Sequence, residues 1–505
     1  MACHTGRRTA WQLKGAIHVT LNLRDPGLLK SKAFIGGNWV TADEGDHFDV
    51  TNPASGEVIT SVPRMGEAET RRAIEIAETA LPKWRTLTAK ERSHLLRAWF
   101  DLIISNEDDL AAIMTAEQGK PIAEALGEIR YAASFVEWFA EEAKRAYGDI
   151  IPSHKAGSQI IVTREPVGVT AAITPWNFPS AMITRKVGPA LAAGCTIVVK
   201  PASATPLSAL ALCALAERAG IPGGVFSVVT GSASRIAGEI ARNPIVRKIS
   251  FTGSTEIGKQ LMAASAGTLK RLSLELGGNA PFIVFDDADI DAAIQGAMDS
   301  KFRNAGQTCV CTNRFLVQDG IYEAFSTKLV EAVAALKIGA GTEPGVDQGP
   351  LIDAAAVEKV KAHISDAVGK GAVILHGGEP HALGGTYFQP TVLGDVTVVS
   401  DVATQETFGP LAPLFRFSTE DDAIGLANDT AFGLAAYVYT KDLARAWRMS
   451  HALEYGMVGI NEGLISTEVA PFGGVKESGF GREGSRYGIN EYLEIKYTLM
   501  GGLAR

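Results

Sequence analysis

The sequence predicts an α/β protein that combines two parallel-sheet domains with one small β element. Short apolar runs alternate with helical segments twice along the chain, first over 168–251 and again over 280–439, which is the pattern of buried parallel strands. The last residues instead alternate apolar and polar side chains, as a strand with one apolar face does. With 505 residues, 46% of them hydrophobic and 21% charged, the chain has the composition of a folded protein with several domains of about 150 residues each.

The N-terminal segment is predicted to be a leader outside the folded domains. Residues 1–32 hold six basic residues and one acid but lack the continuous apolar core of a secretory signal. Farther along, apolar residues recur at three- and four-residue spacing, which is typical of helices that bury one face. The predicted helices are 68–80, 89–106, 107–118 and 122–147.

Two series of strands follow. The first is predicted at 168–173, 195–199, 225–229 and 248–251, with helices at 207–219 and 233–241. The second is predicted at 280–285, 314–317, 372–375 and 435–439. At the C-terminus Leu493, Ile495, Tyr497 and Leu499 alternate with polar residues, which predicts a strand. Because this strand comes after the second domain is complete, we expect it to extend a sheet of another segment or subunit.

Charge and hydropathy exclude two classes of partner. The chain carries 48 basic and 56 acidic residues, a net charge of −8, so no broad positive field is available for nucleic acid. The longest apolar stretches, 187–199 and 207–216, are shorter than the roughly 18 residues of a membrane span, so no membrane span is predicted.

Five cysteines without paired CxxC motifs and nine histidines without metal spacing predict no metal site. Sparse cysteine predicts the cytoplasm, or an organelle matrix if the basic leader is a targeting segment.

The segment NAGQTCVC, residues 304–311, is the first to indicate chemistry. It sets Cys309 in a loop just before a predicted buried strand. A loop can present sulfur to a cleft while its backbone N–H points at developing charge, which favours a nucleophile. Taken alone, the pattern also fits a small buried apolar residue.

Five further segments are expected at the carboxyl ends of strands, where open α/β sheets bind ligands. They are PWNFP (175–179), VKPAS (199–203), FTGSTEIG (251–258), LELGG (274–278) and QETFGP (405–410). In this order the motifs resemble the aldehyde dehydrogenase superfamily, from about residue 34 to the C-terminus. Within it the chain is most similar to bacterial-type NADP-dependent succinate-semialdehyde dehydrogenases, through SAMITRK (180–186), KFRN (301–304), TCVC (308–311) and NEGLIS (461–466).

The resemblance implies covalent oxidation of an aldehyde. It makes Cys309 the nucleophile that forms a thiohemiacetal and then a thioester, and Glu275 the base that activates water and accepts the thiol proton. The side-chain amide of Asn177 and the backbone N–H of Cys309 would hold the oxyanion; the alternative for Asn177 is to cap the next helix. Lys186 would assist proton transfer, with a structural ion pair as its alternative.

For the cofactor the resemblance implies these contact residues: Thr174, Pro175, Trp176, Lys200, Ser203, Gly253, Ser254, Leu276, Glu406 and Phe408. In it Lys200 holds the adenosine ribose, Glu406 holds the nicotinamide ribose, and residues 253–258 open a helix that meets the pyrophosphate. Members that prefer NAD often carry a glutamate where this chain has Ser203. A neutral hydroxyl beside Lys200 does not repel a 2′-phosphate, so we expect NADP to be accepted and preferred, with NAD as the second cofactor.

A semialdehyde that ends in a carboxylate needs a cation at the far end of its pocket. Arg185 and Arg303 are the candidates, with Ser466 as a hydroxyl donor; the alternative is that each arginine pairs with a protein carboxylate. Succinate semialdehyde is the expected substrate and glutarate semialdehyde the alternative, because one methylene is worth only about 1 to 3 kcal/mol. Cys311 is either a partner for an oxidative disulfide with Cys309 or a buried bystander.

The resemblance also implies domain boundaries and an assembly. It predicts a cofactor-binding domain from 33–146 and 167–276, a catalytic domain over 277–475, an oligomerisation element from 147–166 and 487–505, and a homodimer or homotetramer. Two other function classes stay open. One is a cofactor-independent thiol hydrolase that uses Cys309 and Glu275; the other is a non-catalytic protein that kept the fold, which the intact Cys309, Glu275 and Asn177 disfavour.

Overall fold

The computed structural model describes residues 21–503, and its first sheet has the predicted alternation of strands and helices. Within these residues the sheet has eight strands. Five neighbours at its centre run parallel, as buried runs separated by helices predict. Across the sheet the strands are Gly479–Phe480, Arg271–Glu275, Val246–Thr252, Val169–Ile173, Thr196–Lys200, Phe226–Val228, Ala33–Ile35 and Asn38–Val40.

Helices cover this sheet and bury their apolar faces. They are Glu67–Arg85, Ala89–Ser105, Glu107–Gln118, Ile122–Glu142, Ala181–Ala193, Leu207–Arg218, Ala233–Arg242 and Thr255–Ser265. Three of them, Ala89–Ser105, Glu107–Gln118 and Ile122–Glu142, pack mainly on other helices. The predicted helix 122–147 is too long. It ends at Glu142 and continues only as a tight turn, Ala143–Arg145, because Ala146 has left the helical region at φ −80° and ψ 57°.

The second sheet has seven strands among the described residues, and six of them run parallel. In order they are Val373–His376, Thr391–Gly394, Leu411–Phe417, Thr312–Gln318, Ala280–Val284, Ala435–Tyr439 and Met457–Ile460. The helices of this part are Ile290–Lys301, Tyr322–Ala334, Ala354–Gly369, Asp401–Thr404, Glu420–Asn428 and Leu443–Ala452. The strand predicted at 372–375 is an exposed antiparallel edge, with Val373 51% accessible, and is not one of the buried parallel strands.

The C-terminal strand Leu493–Met500 finds its partner within the chain. It pairs antiparallel with Gln159–Pro166, which in turn pairs with Asp149–Ile151. The sheet extension expected from the sequence is therefore made to another segment of this protein. Ile495 and Tyr497 on the strand remain 73% and 57% exposed. A hairpin, His47–Thr51 with Val58–Pro63, and a short helix, Ser485–Gly488, complete the elements.

Residues 21–32, which were expected to be part of a leader, pack onto the first domain. Leu28 is fully buried, Asp25 pairs with Arg218, and the Asp109 carboxylate accepts the backbone N–H groups of Arg24 and Asp25 at 2.9 and 2.7 Å. The leader prediction is therefore wrong for residues 21–32. Residues 1–20 of that prediction lie outside the described residues.

The chain returns to the first sheet after the second is complete. Strand Gly479–Phe480 pairs with Leu274 and Glu275, which brings residues 476–486, assigned to no predicted domain, beside the LELGG segment. The domain boundaries and roles stay predictions. Over residues 21–503, no helix is long and apolar enough to cross a membrane, and no three His, Cys, Asp or Glu side chains are grouped as metal ligands.

Candidate active site

Four of the five segments singled out in the sequence meet at one edge of the first sheet. PWNFP, VKPAS, FTGSTEIG and LELGG come at the carboxyl ends of strands Val169–Ile173, Thr196–Lys200, Val246–Thr252 and Arg271–Glu275. These strands are parallel neighbours, so their ends share an edge. The fifth segment, QETFGP, was misplaced, because it precedes strand Leu411–Phe417 instead of following a strand.

The loop that carries Cys309 is bent by three consecutive left-handed residues. Asn304, Ala305 and Gly306 have φ values of 51°, 54° and 73°, a conformation that costs about 1 to 2 kcal/mol for a residue with a Cβ. At Gly306 a Cβ would lie 2.2 Å from the carbonyl oxygen of Gly409, so only glycine fits. The bend reverses the chain after helix Ile290–Lys301 and exposes Cys309 at the cleft.

Asn304 holds this bend through its own hydrogen bonds. Its side-chain amide donates to the carbonyl oxygens of Asn177 at 3.0 Å and Gln307 at 3.2 Å. The side-chain oxygen accepts from Gln118 at 2.9 Å, and the backbone N–H donates to the Glu124 carboxylate. The strained loop is thereby tied to the segment that carries Asn177.

Cys309 lies where two pockets meet. The first, which we call the arginine pocket, has about 300 Å³ and is lined by Arg185, Arg303, Ser466 and Cys309. The second, the central pocket, has about 360 Å³ and is lined by Asn177, Trp176, Glu406, Phe408 and Cys309. The thiol therefore borders one space lined by two arginines and another lined by Glu406.

A third space, the lysine pocket, continues from the central pocket. It has about 640 Å³ and includes Lys200 and Ser203. The two pockets share five lining residues, which join them into one cleft: Pro175, Trp176, Thr252, Gly253 and Ser254. Cys309 stands at one end of this cleft and Lys200 lies in its far part.

Burial disfavours the ionised form of the Cys309 thiol. Burial raises the pKa of Cys309 to about 12, with Glu406 and Glu275 opposing the thiolate and Arg185 favouring it. A thiol with that pKa needs a base to become a nucleophile. The environment does not activate the sulfur by itself.

Two N–H donors are available beside that sulfur. The Asn177 amide donates one hydrogen to the Gln307 carbonyl at 3.0 Å and has a second hydrogen to give. The backbone N–H of Cys309 has no acceptor within residues 21–503. The helix after Asn177 is capped at Ser180, so the alternative that Asn177 is the helix cap is wrong.

Glu275 ends strand Arg271–Glu275 and is 2% exposed. Neither carboxylate oxygen has a hydrogen-bond partner among the described residues. Burial and the neighbouring Glu483 raise the pKa of Glu275 well above its ordinary value. It lines none of the three pockets, and its role as a base stays a prediction.

Arg185 and Lys186 share one carboxylate that the sequence analysis missed. Glu483 lies 2.5 Å from Arg185 Nε and also pairs with Lys186. Lys186 donates in addition to the Thr252 hydroxyl at 2.6 Å, and Arg185 stacks over Phe472 at 4.0 Å. Both residues therefore adopt the ion-pair alternative, although Arg185 still lines the arginine pocket.

Arg303 differs from Arg185. It makes no salt bridge with a carboxylate of residues 21–503, and its buried Nε has no hydrogen-bond partner there. The guanidinium lies over Phe178 at 5.4 Å. Glu124 lines the same pocket, and the Arg303 charge opposes the rise in the pKa of Glu124 that burial causes, but the two side chains form no salt bridge.

Lys120 lines the arginine pocket and was also not predicted from the sequence. It pairs with Glu128 at 2.5 Å and donates to the Asn177 carbonyl oxygen at 2.8 Å. The other Glu128 oxygen accepts the N–H groups of Ser180 and Ala181. This buried pair fixes the loop that carries Asn177 and is already neutralised.

All ten predicted cofactor residues line this cleft. Glu406 lies in the central pocket beside Cys309, and Lys200 lies in the lysine pocket. Trp176 and Phe408 meet edge to face with ring centroids 5.5 Å apart, and the Glu406 carboxylate accepts the Gly278 N–H at 3.1 Å. Burial raises the pKa of Glu406 to about 7. Thr174 lines the lysine pocket and Leu276 the central one.

The lysine pocket offers groups that suit a phosphate. Lys200 Nζ lies 3.5 Å from the Ser203 hydroxyl, and burial lowers the pKa of Lys200 to about 8. Ser254 caps the N-terminus of helix Thr255–Ser265 and accepts the Ile257 N–H at 3.4 Å. A cation and a helix N-terminus therefore border the same space.

Cys311 lies apart from the cleft. It is fully buried, its sulfur donates to the Gly306 carbonyl at 3.2 Å, and Lys301 Nζ lies 3.8 Å away. It lines none of the three pockets. Its redox role stays a prediction.

Comparison with known proteins agrees with this geometry. The aldehyde dehydrogenase family matches residues 39–498. A glutarate-semialdehyde dehydrogenase of Pseudomonas aeruginosa is 67% identical over 96% of this chain and 100% of its own. The NADP(+) succinate-semialdehyde dehydrogenase GabD of Escherichia coli is 63% identical over 95% of this chain and 100% of its own.

A solved structure gives the same result. The crystal structure of succinate-semialdehyde dehydrogenase from Burkholderia pseudomallei has a TM-score of 0.95 and 63% identity, and covers 95% of this chain and 100% of that one. The resemblance and the α/β fold predicted from the sequence are confirmed. The chain belongs to the aldehyde dehydrogenase family.

Proposed function

We propose that the protein oxidises succinate semialdehyde to succinate with NADP through a covalent bond to Cys309. One observation supports this most. Cys309 lies at the junction of the central pocket with a pocket that Arg303 also lines, and this guanidinium makes no salt bridge with a carboxylate of residues 21–503. A substrate with an aldehyde at one end and a carboxylate at the other fits that arrangement.

The residues of the chain supply most of the chemistry. Cys309 bonds to the carbonyl carbon while its proton passes to Glu275, once that carboxyl is ionised. The charge that develops on the carbonyl oxygen is stabilised by Asn177 and by the Cys309 N–H, each worth on the order of 3 kcal/mol. NADP, when bound, supplies the hydride acceptor. Glu275 then accepts a proton from the water that hydrolyses the thioester, which restores the thiol and releases the acid.

The described residues fit a dinucleotide with a 2′-phosphate. The central and lysine pockets, about 360 and 640 Å³, form one cleft with the N-terminus of helix Thr255–Ser265 at its side. Ser203 contributes a neutral hydroxyl beside Lys200. We therefore propose NADP as the preferred cofactor and NAD as the second, in line with the NADP(+) in the printed name of the Escherichia coli relative.

The second candidate is oxidation of glutarate semialdehyde. The Pseudomonas aeruginosa relative named for that substrate, at 67% identity, favours it. One extra methylene changes binding by only about 1 to 3 kcal/mol, so we expect both substrates to react. The test is to measure kcat/KM for both semialdehydes with NADP and with NAD. A higher value for succinate semialdehyde with NADP supports the proposal, and a value that is higher for glutarate semialdehyde makes the second candidate correct.

We propose a homodimer or homotetramer in the cytoplasm. The exposed apolar side chains of strand Leu493–Met500 support an assembly through this sheet, and a free catalytic cysteine favours a reducing compartment. The organelle matrix remains the alternative location. Light scattering of the purified chain tests the assembly, and a monomer would contradict it.

A further inference from the structure

A stripe of polar side chains runs along one face of the first sheet, where apolar residues are expected. In strand Val246–Thr252 the residues of one face are Lys248, Ser250 and Thr252, each at most 7% exposed. The neighbouring parallel strand adds Ser273 and Glu275, which are the register partners of Ser250 and Thr252. Central parallel strands are normally apolar on both faces, so this stripe needs a reason.

The inner end of the stripe touches the candidate active site. The Thr252 hydroxyl lines the central pocket and accepts from Lys186 at 2.6 Å. Lys186 pairs with Glu483, and the Ser250 hydroxyl donates to the same carboxylate at 3.4 Å. The charge of Glu483 is also felt by Glu275.

The outer end of the stripe reaches the surface. Lys248 donates to the Ser273 hydroxyl, which donates to Glu491 at 3.0 Å. Lys248 Nζ also lies 3.5 Å from Glu491, whose side chain is 30% exposed. Burial lowers the pKa of Lys248 to about 8, so its ammonium can lose and regain a proton near neutral pH.

The two ends approach each other at Ser250. Its hydroxyl donates to Glu483, the Lys248 charge lowers the pKa of that same carboxylate, and the Tyr492 ring lies 5.0 Å from Lys248 Nζ. Ser250 and Ser273 are register partners, which places them about 5 Å apart on neighbouring strands. Lys248 stands two residues before Ser250 on the same face of its strand, and a proton path between the two ends requires a turn of the Lys248 side chain from Ser273 toward Ser250.

The proposed reaction releases protons that must leave the active site. One aldehyde, one NADP⁺ and one water give one carboxylate, one NADPH and two protons. The protons come from the Cys309 thiol and the hydrolytic water, and Glu275 must lose each of them before it can act again. With substrate and cofactor in the cleft, the direct route to solvent is filled.

We propose that Lys248, Ser273 and Glu491 form a proton exit that carries protons from Glu483 to solvent on the far side of the sheet. This inference rests on the proposed function. In each transfer a hydroxyl or ammonium gives up one proton as it receives another, and Glu491 releases the proton to water. Lys248, Ser273 and Glu491 are thus positioning residues that act through Glu483 and touch no substrate.

The test compares two exit variants with a matched buried lysine. Lys248→Met removes the exchangeable protons and keeps the chain length, and Glu491→Gln removes the outlet at a partly exposed position. Lys270→Met is the control, because Lys270 is also buried and its pKa is likewise lowered to about 8. Among the described residues it bonds only to the carbonyl oxygens of Asn243 and Val246. Stopped flow with a pH indicator measures proton release beside NADPH formation.

We expect Lys248→Met and Glu491→Gln to lower kcat about tenfold or more, to delay proton release behind the first NADPH formed, and to raise the solvent deuterium isotope effect on kcat. Small amines should restore part of the rate in Lys248→Met, and Lys270→Met should behave like the parent. Parental rates and synchronous proton release in Glu491→Gln would overturn the proton exit even if Lys248→Met fails to fold. A parent that forms no NADPH would overturn the proposed function, and the exit with it.

Discussion

Replacing Arg303 by methionine should remove the preference for an aldehyde that carries a carboxylate. The change keeps the length of the side chain and its contact with Phe178 but deletes the charge. Because Arg303 makes no salt bridge with a carboxylate of the described residues, the change breaks no ion pair; Glu124 loses only a favourable charge that lies beyond salt-bridge distance. The folded protein should therefore be nearly as stable as the parent.

The size of the effect follows from the hydrogen bonds that are lost. A guanidinium makes two hydrogen bonds to a carboxylate, and each charge-assisted bond contributes about 1.5 to 3 kcal/mol. A total of about 3 kcal/mol, allowing for replacement by water, corresponds to roughly 150-fold in kcat/KM. Butanal, which has a methyl group in place of the carboxylate, should lose almost nothing.

Arg185 provides the contrast within the same pocket. Its guanidinium pairs with Glu483, which is 4% exposed, so Arg185→Met leaves that carboxylate with Lys186 alone. Breaking a buried pair costs about 3 kcal/mol or more in the free energy of unfolding. We expect this variant to be less stable and to lose activity toward both aldehydes.

The assay is kcat/KM for succinate semialdehyde and for butanal with each variant, together with denaturant unfolding. The account predicts a selective loss in Arg303→Met and a general loss in Arg185→Met. An Arg303→Met protein that oxidises succinate semialdehyde as well as the parent does would refute the carboxylate contact. Equal losses for both aldehydes would show that Arg303 acts on structure instead.

Three further predictions concern the cofactor and the second cysteine. Ser203→Glu should lower kcat/KM with NADP by about 30-fold through like-charge repulsion, while NAD is spared; an unchanged cofactor ratio would remove Ser203 from the NADP site. Because burial lowers the pKa of Lys200 to about 8, its positive charge is lost as the pH rises, and affinity for NADP measured by fluorescence should fall about tenfold from about pH 7 to about pH 9; an affinity that stays constant, or falls equally for NAD, would contradict this. Peroxide should inactivate the parent by forming a disulfide between Cys309 and Cys311, and dithiothreitol should restore the activity. If a Cys311→Ala variant is inactivated and restored in the same way, the disulfide is excluded.

Local sequence patterns predicted the helices and strands whose pattern of buried and exposed residues is the same along their whole length. Helix Glu107–Gln118 and strand Ala435–Tyr439 have the predicted bounds, because their periodicity is not interrupted. Strand Leu411–Phe417 was missed: Pro413 lies within it, and proline argues against a central strand. Strand Arg271–Glu275 was missed because it alternates polar and apolar residues, as a half-exposed strand does, although its end is buried.

The candidate site likewise contains residues that could be predicted from the sequence and one residue that could not. The sequence placed Cys309 in a loop before a strand, and the structure brings Arg185, Arg303 and Ser466 to one pocket beside it. Glu483 was not predicted, because it is 297 residues from Lys186 and comes from the segment that returns to the first sheet. No local pattern marks such a residue, whereas the polar face of strand Val246–Thr252 was visible in the sequence as alternating Lys248, Ser250 and Thr252.

The most direct test of the account is to trap the covalent intermediate. Glu275→Gln would remove the base for the Cys309 thiol as well as the base for the water, so the parent is used: it is mixed with succinate semialdehyde and NADP and quenched with acid within the first turnover. Mass spectrometry of the acid-quenched protein should find one succinyl group on Cys309. Reduced cofactor without a covalent group on Cys309, or a succinyl group on another residue, would contradict the account.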